Sequence, residues 1–202
     1  MNAGFHDNPI VYDLHWSHLV PPSCLTKRVT RYLSAMQGQF RDESAFREML
    51  SERDALVYEV HEFVRPAHAG ELAHGLSILY PGRVGAEYFM TKGHFHVLLE
   101  TAELYYCLQG EGMMVMETPE GDWAVQPLHA GSVLYVPPRW AHRLVNTRPD
   151  RSLSSLYVYP SNAGHDYRSI ERQGFHKLVV ERDGAAEIVD NPNWLSPDAR
   201  KF

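Results

Sequence analysis

The chain reads as an all-β sandwich or barrel, preceded by an N-terminal arm and carrying few, short helices. Three observations predict this. Between Ala55 and Val189 the sequence is a succession of short β-branched and aromatic runs. The runs are separated by turn residues at near-regular spacing. Only one stretch of the chain has a clear helical period.

Taken in order, residues 1–40 are rich in Pro, His and aromatic residues without a clean period. They read as an irregular arm, with short strands, that packs on the main body. The segment "DESAFREMLSERD" (Asp42–Asp54) is the predicted helix, with Asp42 or Ser44 as its N-cap and Phe46, Met49, Leu50 and Arg53 spaced at three and four. The predicted strands are "ALVYEVHEF", "GLSILY", "AEYFMT", "ELYYCLQ", "GMMVMET", "WAVQPL", "SVLYVP", "HRLVN", "LSSLYVYP", "HKLVVE" and "AEIVD". Their breaks fall at Pro81-Gly82, Gly110-Glu111-Gly112, Pro119-Glu120-Gly121, Ala130-Gly131, Pro137-Pro138 and Asp183-Gly184. Closure of such a sheet removes its exposed edges. No internal repeat, low-complexity segment or linker supports a second domain. The expectation is one domain over 1–202: arm and helix at 1–54, barrel at 55–190, tail at 191–202.

Composition narrows the function. A chain of 202 residues buries roughly 70% of the surface it would expose unfolded, enough for one sizeable core. An apolar fraction of 44% with 22% charged residues is that of an ordinary globular protein. The formal charge of -6, with 19 Lys and Arg residues scattered rather than clustered, argues against a nucleic-acid partner. Phosphate on a small substrate remains compatible, because a few backbone amides and hydroxyls suffice to bind it. The two cysteines, Cys24 and Cys107, form no CxxC arrangement, so a reducing compartment fits and thiolate metal chemistry does not. The N-terminal "MNAGFHDNPIVYDLHWSHLVPP" has neither a basic n-region nor a long apolar run, so neither a secretion signal nor a membrane span is expected. A cytoplasmic protein is the default.

The stretch "GHFHVLLETAE" holds two histidines two residues apart and a carboxylate seven residues on; a third histidine, His142, follows in "PPRWAHRLVN". Residues i and i+2 of a strand share a face, so His94 and His96 project together, and Tyr105 and Cys107 share the face of Glu103. Three imidazoles and a carboxylate suit a first-row divalent ion, with positions left for water or substrate. In a chain with 12 histidines, the HxH pair alone is more often accidental than metal-binding.

The longer pattern is more specific. Gly93, His94, His96, Glu103 and Gly110 resemble the first cupin motif, and Gly131, Pro137, His142 and Asn146 resemble the second. Arg139 stands where a Gly is usual. Glu100 also stands near the spacing of a ligand, but only Glu103 is followed by Gly110 at the motif's interval. Within the cupins, "GAEYFMTKGHFHVLLETAELYYCLQGEG" is similar to the archaeal-type, metal-dependent glucose-6-phosphate isomerases, over roughly residues 55–170.

That resemblance implies a cupin jelly-roll β-barrel, a homodimer, and the interconversion of glucose 6-phosphate and fructose 6-phosphate. It also implies one divalent ion per subunit, Fe2+ first, with Zn2+ or Mn2+ as substitutes. Carried over, the metal ligands fall on His94, His96, Glu103 and His142, and the catalytic residues on Glu103 and Tyr105. Substrate contacts fall on Tyr58, Ser77, Thr91, Gly93, Tyr105, Tyr159 and His165, with Tyr157 competing for the place of Tyr159. Thr91 and the Gly93 amide are the expected phosphate cradle. Lys92, Arg83, Arg139 and Arg143 are expected to be solvated surface residues. Two other readings stand beside this one: an iron-dependent cupin dioxygenase and a non-catalytic sugar-binding cupin.

Overall fold

The computed structural model describes residues 11, 13–15, 17–20, 26–63 and 65–199, so Cys24 and the ends of the chain lie outside the described residues. In chain order the strands are β1 (Asp13–His15), β2 (His18–Val20), β3 (Thr26–Tyr32), β4 (Leu56–Phe63), β5 (Leu72–Leu79), β6 (Arg83–Val84), β7 (Glu87–Tyr88), β8 (Phe95–His96) and β9 (Glu103–Gln109). They continue as β10 (Glu111–Glu117), β11 (Trp123–His129), β12 (Val133–Val136), β13 (Ala141–Asn146), β14 (Leu153–Pro160), β15 (His165–Asp166), β16 (Lys177–Arg182) and β17 (Ala185–Asp190). The helices are α1 (Glu43–Glu52) and α2 (Tyr167–Gln173), with a 3-10 turn at Leu33–Met36.

A six-stranded sheet in the order β12-β9-β14-β5-β4-β3 faces a three-stranded sheet, β11-β10-β13. From β9 the chain crosses to the smaller sheet for β10 and β11, returns for β12, crosses again for β13 and returns for β14. This alternation between facing sheets is the jelly-roll order. The strand β9 shows why it holds: Glu103, Tyr105 and Cys107 are buried, while Leu104 and Tyr106 are each 38% exposed. Its period of two therefore turns one row inward and the other out. Bridges from Met90 to Val145 and from His94 to His142 carry the 90–94 segment along the free side of β13.

Turns are set by backbone chemistry. Gly110 lies at φ +88°, and a Cβ there would sit 2.3 Å from the Ser152 carbonyl oxygen, so only Gly can make the β9–β10 crossing against the β13–β14 connection. Asn146 of the second motif is wholly buried; its amide nitrogen donates to the Leu79 and Arg151 carbonyls, each at 3.0 Å, and its oxygen accepts from the Arg148 amide at 2.9 Å. It locks the start of the β13–β14 connection.

Three expectations need correction, and one short helix of the few expected was not located in the sequence. The arm supplies a full strand: β3 pairs with β4 from Thr26 opposite Phe63 to Tyr32 opposite Leu56. Its text, "TKRVTRY", mixes charged with β-branched residues and has no apolar run to mark it. The predicted helix forms with Asp42 capping the amides of Ser44 and Ala45 at 3.1 and 2.9 Å, but it ends at Glu52, and Arg53 is an extended, exposed C-cap rather than part of the buried face. A second helix, α2, is capped by the Asp166 carboxylate and ends at Gly174, φ +70°. At seven residues it is too short to show a period. Arg143, expected in solvent, is buried; β13 is covered on both faces along its length.

Candidate metal centre

Four donor atoms converge inside the barrel. One ligand atom from each of His94, His96, Glu103 and His142 lies within 4.8 Å of the others. The 94–96 segment brings in two of them, the first residue of β9 the third and the second residue of β13 the fourth.

Two of the three imidazoles are oriented from behind. The Thr101 hydroxyl donates to the Leu98 carbonyl at 2.6 Å, which commits its one proton. Its contact with His96 Nδ1 at 2.7 Å is then an N–H donated by the ring, so the lone pair of His96 sits on Nε2 and faces the cluster. His142 Nδ1 donates in the same way to the Trp140 carbonyl at 3.3 Å. Nε2 of His96 and of His142 lie 3.1 and 2.9 Å from the same Glu103 oxygen, Oε2. Nε2 of His94 is buried with no hydrogen-bond partner among the described residues.

Electrostatics agree with a cation at this point. Burial pushes the Glu103 carboxyl up, but the imidazoles of His142, His96 and His94 outweigh it and hold it below the usual carboxylate range. Burial, then the neighbouring His142 and His165, hold His94 well below the ordinary histidine range, so it is neutral. A carboxylate anion, three inward-facing imidazoles and an unpartnered buried nitrogen fit a divalent ion of the zinc, iron or manganese type.

The cluster opens on a cavity of about 280 Å³ whose walls include Tyr58, Ser77, Thr91, Gly93, Tyr105, Tyr159 and His165. Every expected substrate residue therefore faces one space. Both Tyr157 and Tyr159 line it, their rings stacked at 5.9 Å. The Tyr157 hydroxyl has no partner among the described residues, whereas that of Tyr159 donates to Glu62 at 3.4 Å. Burial and then Glu103 push the Tyr105 hydroxyl well above its ordinary range, so it stays protonated beside the carboxylate. Burial draws His165 down to about 4, leaving it neutral at pH 7.

On the same cavity wall, the Leu144 amide donates to the Thr91 hydroxyl oxygen at 3.1 Å, which leaves the hydroxyl proton for a ligand. Gly93 sits at φ +73°, where a Cβ would meet the Phe175 ring at 2.6 Å.

The sequence did not point to Lys27, Arg31, Glu62 and Tyr167, which also line the cavity. Lys27 and Arg31 come from β3. Tyr167 follows His165 by two, a spacing that could have placed both on one side. Of the four basic residues expected in solvent, Arg83 is exposed and pairs with Glu181, and Arg139 is partly exposed and pairs with Glu100 and Glu120. Lys92 is half-buried and pairs with Glu171 at 2.9 Å. Arg139 itself adopts φ +73°, the left-handed conformation that a Gly takes without strain.

Comparison with known proteins gives a consistent relationship. The family described as Glucose-6-phosphate isomerase (GPI) matches residues 30–194. A glucose-6-phosphate isomerase of Thermococcus kodakarensis is 45% identical over 189 residues, covering 94% of this chain and 98% of its own. Those of Thermococcus onnurineus and Pyrococcus horikoshii are 48% and 46% identical, each covering 83% of this chain and 88% of theirs. Matched over most of its length, and with nearly the whole length of these relatives accounted for, the chain belongs to the glucose-6-phosphate isomerase family.

Proposed function

We propose that the chain interconverts glucose 6-phosphate and fructose 6-phosphate with one divalent ion held by His94, His96, Glu103 and His142. One observation carries the reading: three of the four donors, His94, Glu103 and His142, line the same cavity as the groups suited to a phosphate, and His96 completes the cluster from behind it. The relatives' names agree with it.

The reaction moves one hydrogen between C1 and C2 and adjusts the protons on their oxygens. A bound ion would polarise the carbonyl and the adjacent hydroxyl. Thr91 and the Gly93 amide bind the phosphate, which fixes the sugar lengthwise and brings C1 and C2 to the donor cluster. Lys27 and Arg31 add positive charge to the same cavity and carry no ion pair among the described residues. Tyr58 lines the same cavity, its hydroxyl against the Arg31 guanidinium and the Lys92 backbone.

Glu103 is the carboxylate we assign as base in an enediol route, taking the proton from one carbon and returning it to the other. It is ionised, as a base must be, but a carboxylate that would share a dication with His96 and His142 is a poorer proton acceptor than a free one. The route therefore requires Glu103 to be loosely held by the ion, or displaced from it, when sugar enters. If hydrogen instead passes directly between the carbons, Glu103 is a ligand alone. Tyr105 donates to Glu103 or to a sugar oxygen.

We assign Fe2+ as the first choice of ion, with Zn2+ or Mn2+ as substitutes, and a cytoplasmic homodimer, on the family resemblance. Leu104, Tyr106, Val133 and Tyr135 form an exposed apolar strip on paired strands that supports self-association. No helix among the described residues is long and apolar enough to cross a membrane.

An assay on phosphorylated and unphosphorylated sugar separates this reading from a dioxygenase or a sugar-binding protein. Fructose 6-phosphate should be converted with no consumption of oxygen, and fructose far less efficiently. Equal efficiency on both sugars would remove the phosphate cradle, and oxygen uptake would favour the dioxygenase.

A further inference from the structure

Arg143 lies between a ligand, His142, and Leu144, whose amide holds Thr91, yet it lines neither the donor cluster nor the cavity. It is only 4% exposed and forms no ion pair among the described residues. A buried guanidinium is costly unless its donors are satisfied. Here Nε and Nη2 both donate to the Lys92 carbonyl, at 3.2 and 2.5 Å, and Nη2 also donates to Gln39 Oε1 at 2.5 Å. Nη1 faces the Met90 sulfur at 3.2 Å, and the guanidinium carbon lies 4.7 Å over the Phe175 ring. From these contacts we infer that Arg143 is the positioning residue that aims the Thr91–Gly93 turn at the sugar phosphate. The inference rests on the phosphosugar reading above.

The geometry gives the reason. The Lys92 carbonyl and the Gly93 N–H belong to one trans peptide plane, so they point in opposite directions. With two N–H groups of Arg143 gripping the carbonyl on the protein side, the Gly93 N–H is turned toward the cavity. No protein acceptor among the described residues takes that N–H. The same residue packs beneath the turn: a Cβ on Gly93 would stand 3.0 Å from the Arg143 Cβ and 2.6 Å from Phe175. Meanwhile the Lys92 ammonium is tied to Glu171 at 2.9 Å, so the turn is held from its carbonyl and from its side chain. The Lys92–Gly93 peptide cannot rotate without breaking the fork. The grip needs two donors at a fixed angle, which a lysine cannot offer.

The experiment uses metal-loaded full-length protein and two readouts, calorimetric titration with inorganic phosphate and steady-state kinetics on fructose 6-phosphate. Arg143→Met and Arg143→Lys should each weaken phosphate binding by about 10-fold or more, the usual effect of losing hydrogen bonds to a charged group. KM for fructose 6-phosphate should rise in step, while metal content and kcat change far less. Gln39→Leu removes the acceptor that holds Nη2 without touching the cavity, and should weaken phosphate about threefold or more. It decides the question if the Arg143 variants do not fold. Wild-type phosphate affinity in Arg143→Lys would mean that charge alone acts, and would overturn positioning; so would unchanged affinity in Gln39→Leu, or no phosphate binding by wild type. Failure of wild type to isomerise fructose 6-phosphate would instead overturn the proposed function, with the phosphate titration still deciding the role of Arg143.

Discussion

His94 and His142 exchange both backbone hydrogen bonds, His94 N–H to the His142 carbonyl at 3.3 Å and His142 N–H to the His94 carbonyl at 3.1 Å. Two of the four donors are thus paired by the sheet itself, and their rings meet edge to face at 4.6 Å whether or not an ion is bound. Chelation should therefore leave the strand content intact and lower the melting temperature only through the lost binding free energy. That loss is about 3–4 kcal/mol for an ion present at 100 to 1,000 times its dissociation constant. Circular dichroism before and after chelation checks this, and loss of the β signal at room temperature would contradict it.

Thr101 fixes the tautomer of His96 through its 2.7 Å contact. Thr101→Val keeps the shape but removes the acceptor, and metal affinity should fall about 10- to 100-fold, as is usual when a group behind a ligand histidine is lost. Thr101→Ser should restore most of it. A competition titration with a chromogenic chelator reads both, and unchanged affinity in Thr101→Val would remove this role.

The strands and the donor set were legible because both are local in text: short β-branched runs with turn punctuation, and fixed intervals from Gly93 to Gly110. The expected substrate residues, carried over from the family resemblance rather than read from local text, line one cavity. Long-range features were not legible. Lys27 and Arg31 look like a polar loop until β4 is seen beside them, and Arg143 reads as solvated until the chain around Phe175 covers the outer face of β13. Nothing within "HRLVN" says which face is covered.

Arg139 holds a left-handed φ of +73° in the turn before β13, and its side chain pairs only with the exposed Glu100 and Glu120. Arg139→Gly relieves the backbone at the cost of a more flexible unfolded chain. A net rise of about 2 °C in melting temperature is expected, with turnover unchanged. A fall of several degrees on a thermal melt would show that the ion pairs outweigh the strain.

Glu103→Gln separates base from ligand. The amide retains an acceptor oxygen but not the charge, and the three imidazoles remain. With occupancy confirmed, loss of a general base should reduce turnover on the order of 10²–10⁴-fold, and wild type should incorporate solvent deuterium at C1 or C2. A loaded variant with near-normal turnover, together with no deuterium in the wild-type product, makes Glu103 a ligand only.

The central claim, isomerisation of a phosphosugar at the His94, His96, Glu103 and His142 centre, is tested most directly by a coupled assay for glucose 6-phosphate formed from fructose 6-phosphate. It is run on one preparation as isolated, after chelation, and after return of Fe2+, Zn2+ or Mn2+, with metal content measured at each stage. Activity should vanish on chelation and return in proportion to the bound ion, with at most one ion per chain. Full turnover in protein shown by elemental analysis to be metal-free would contradict it.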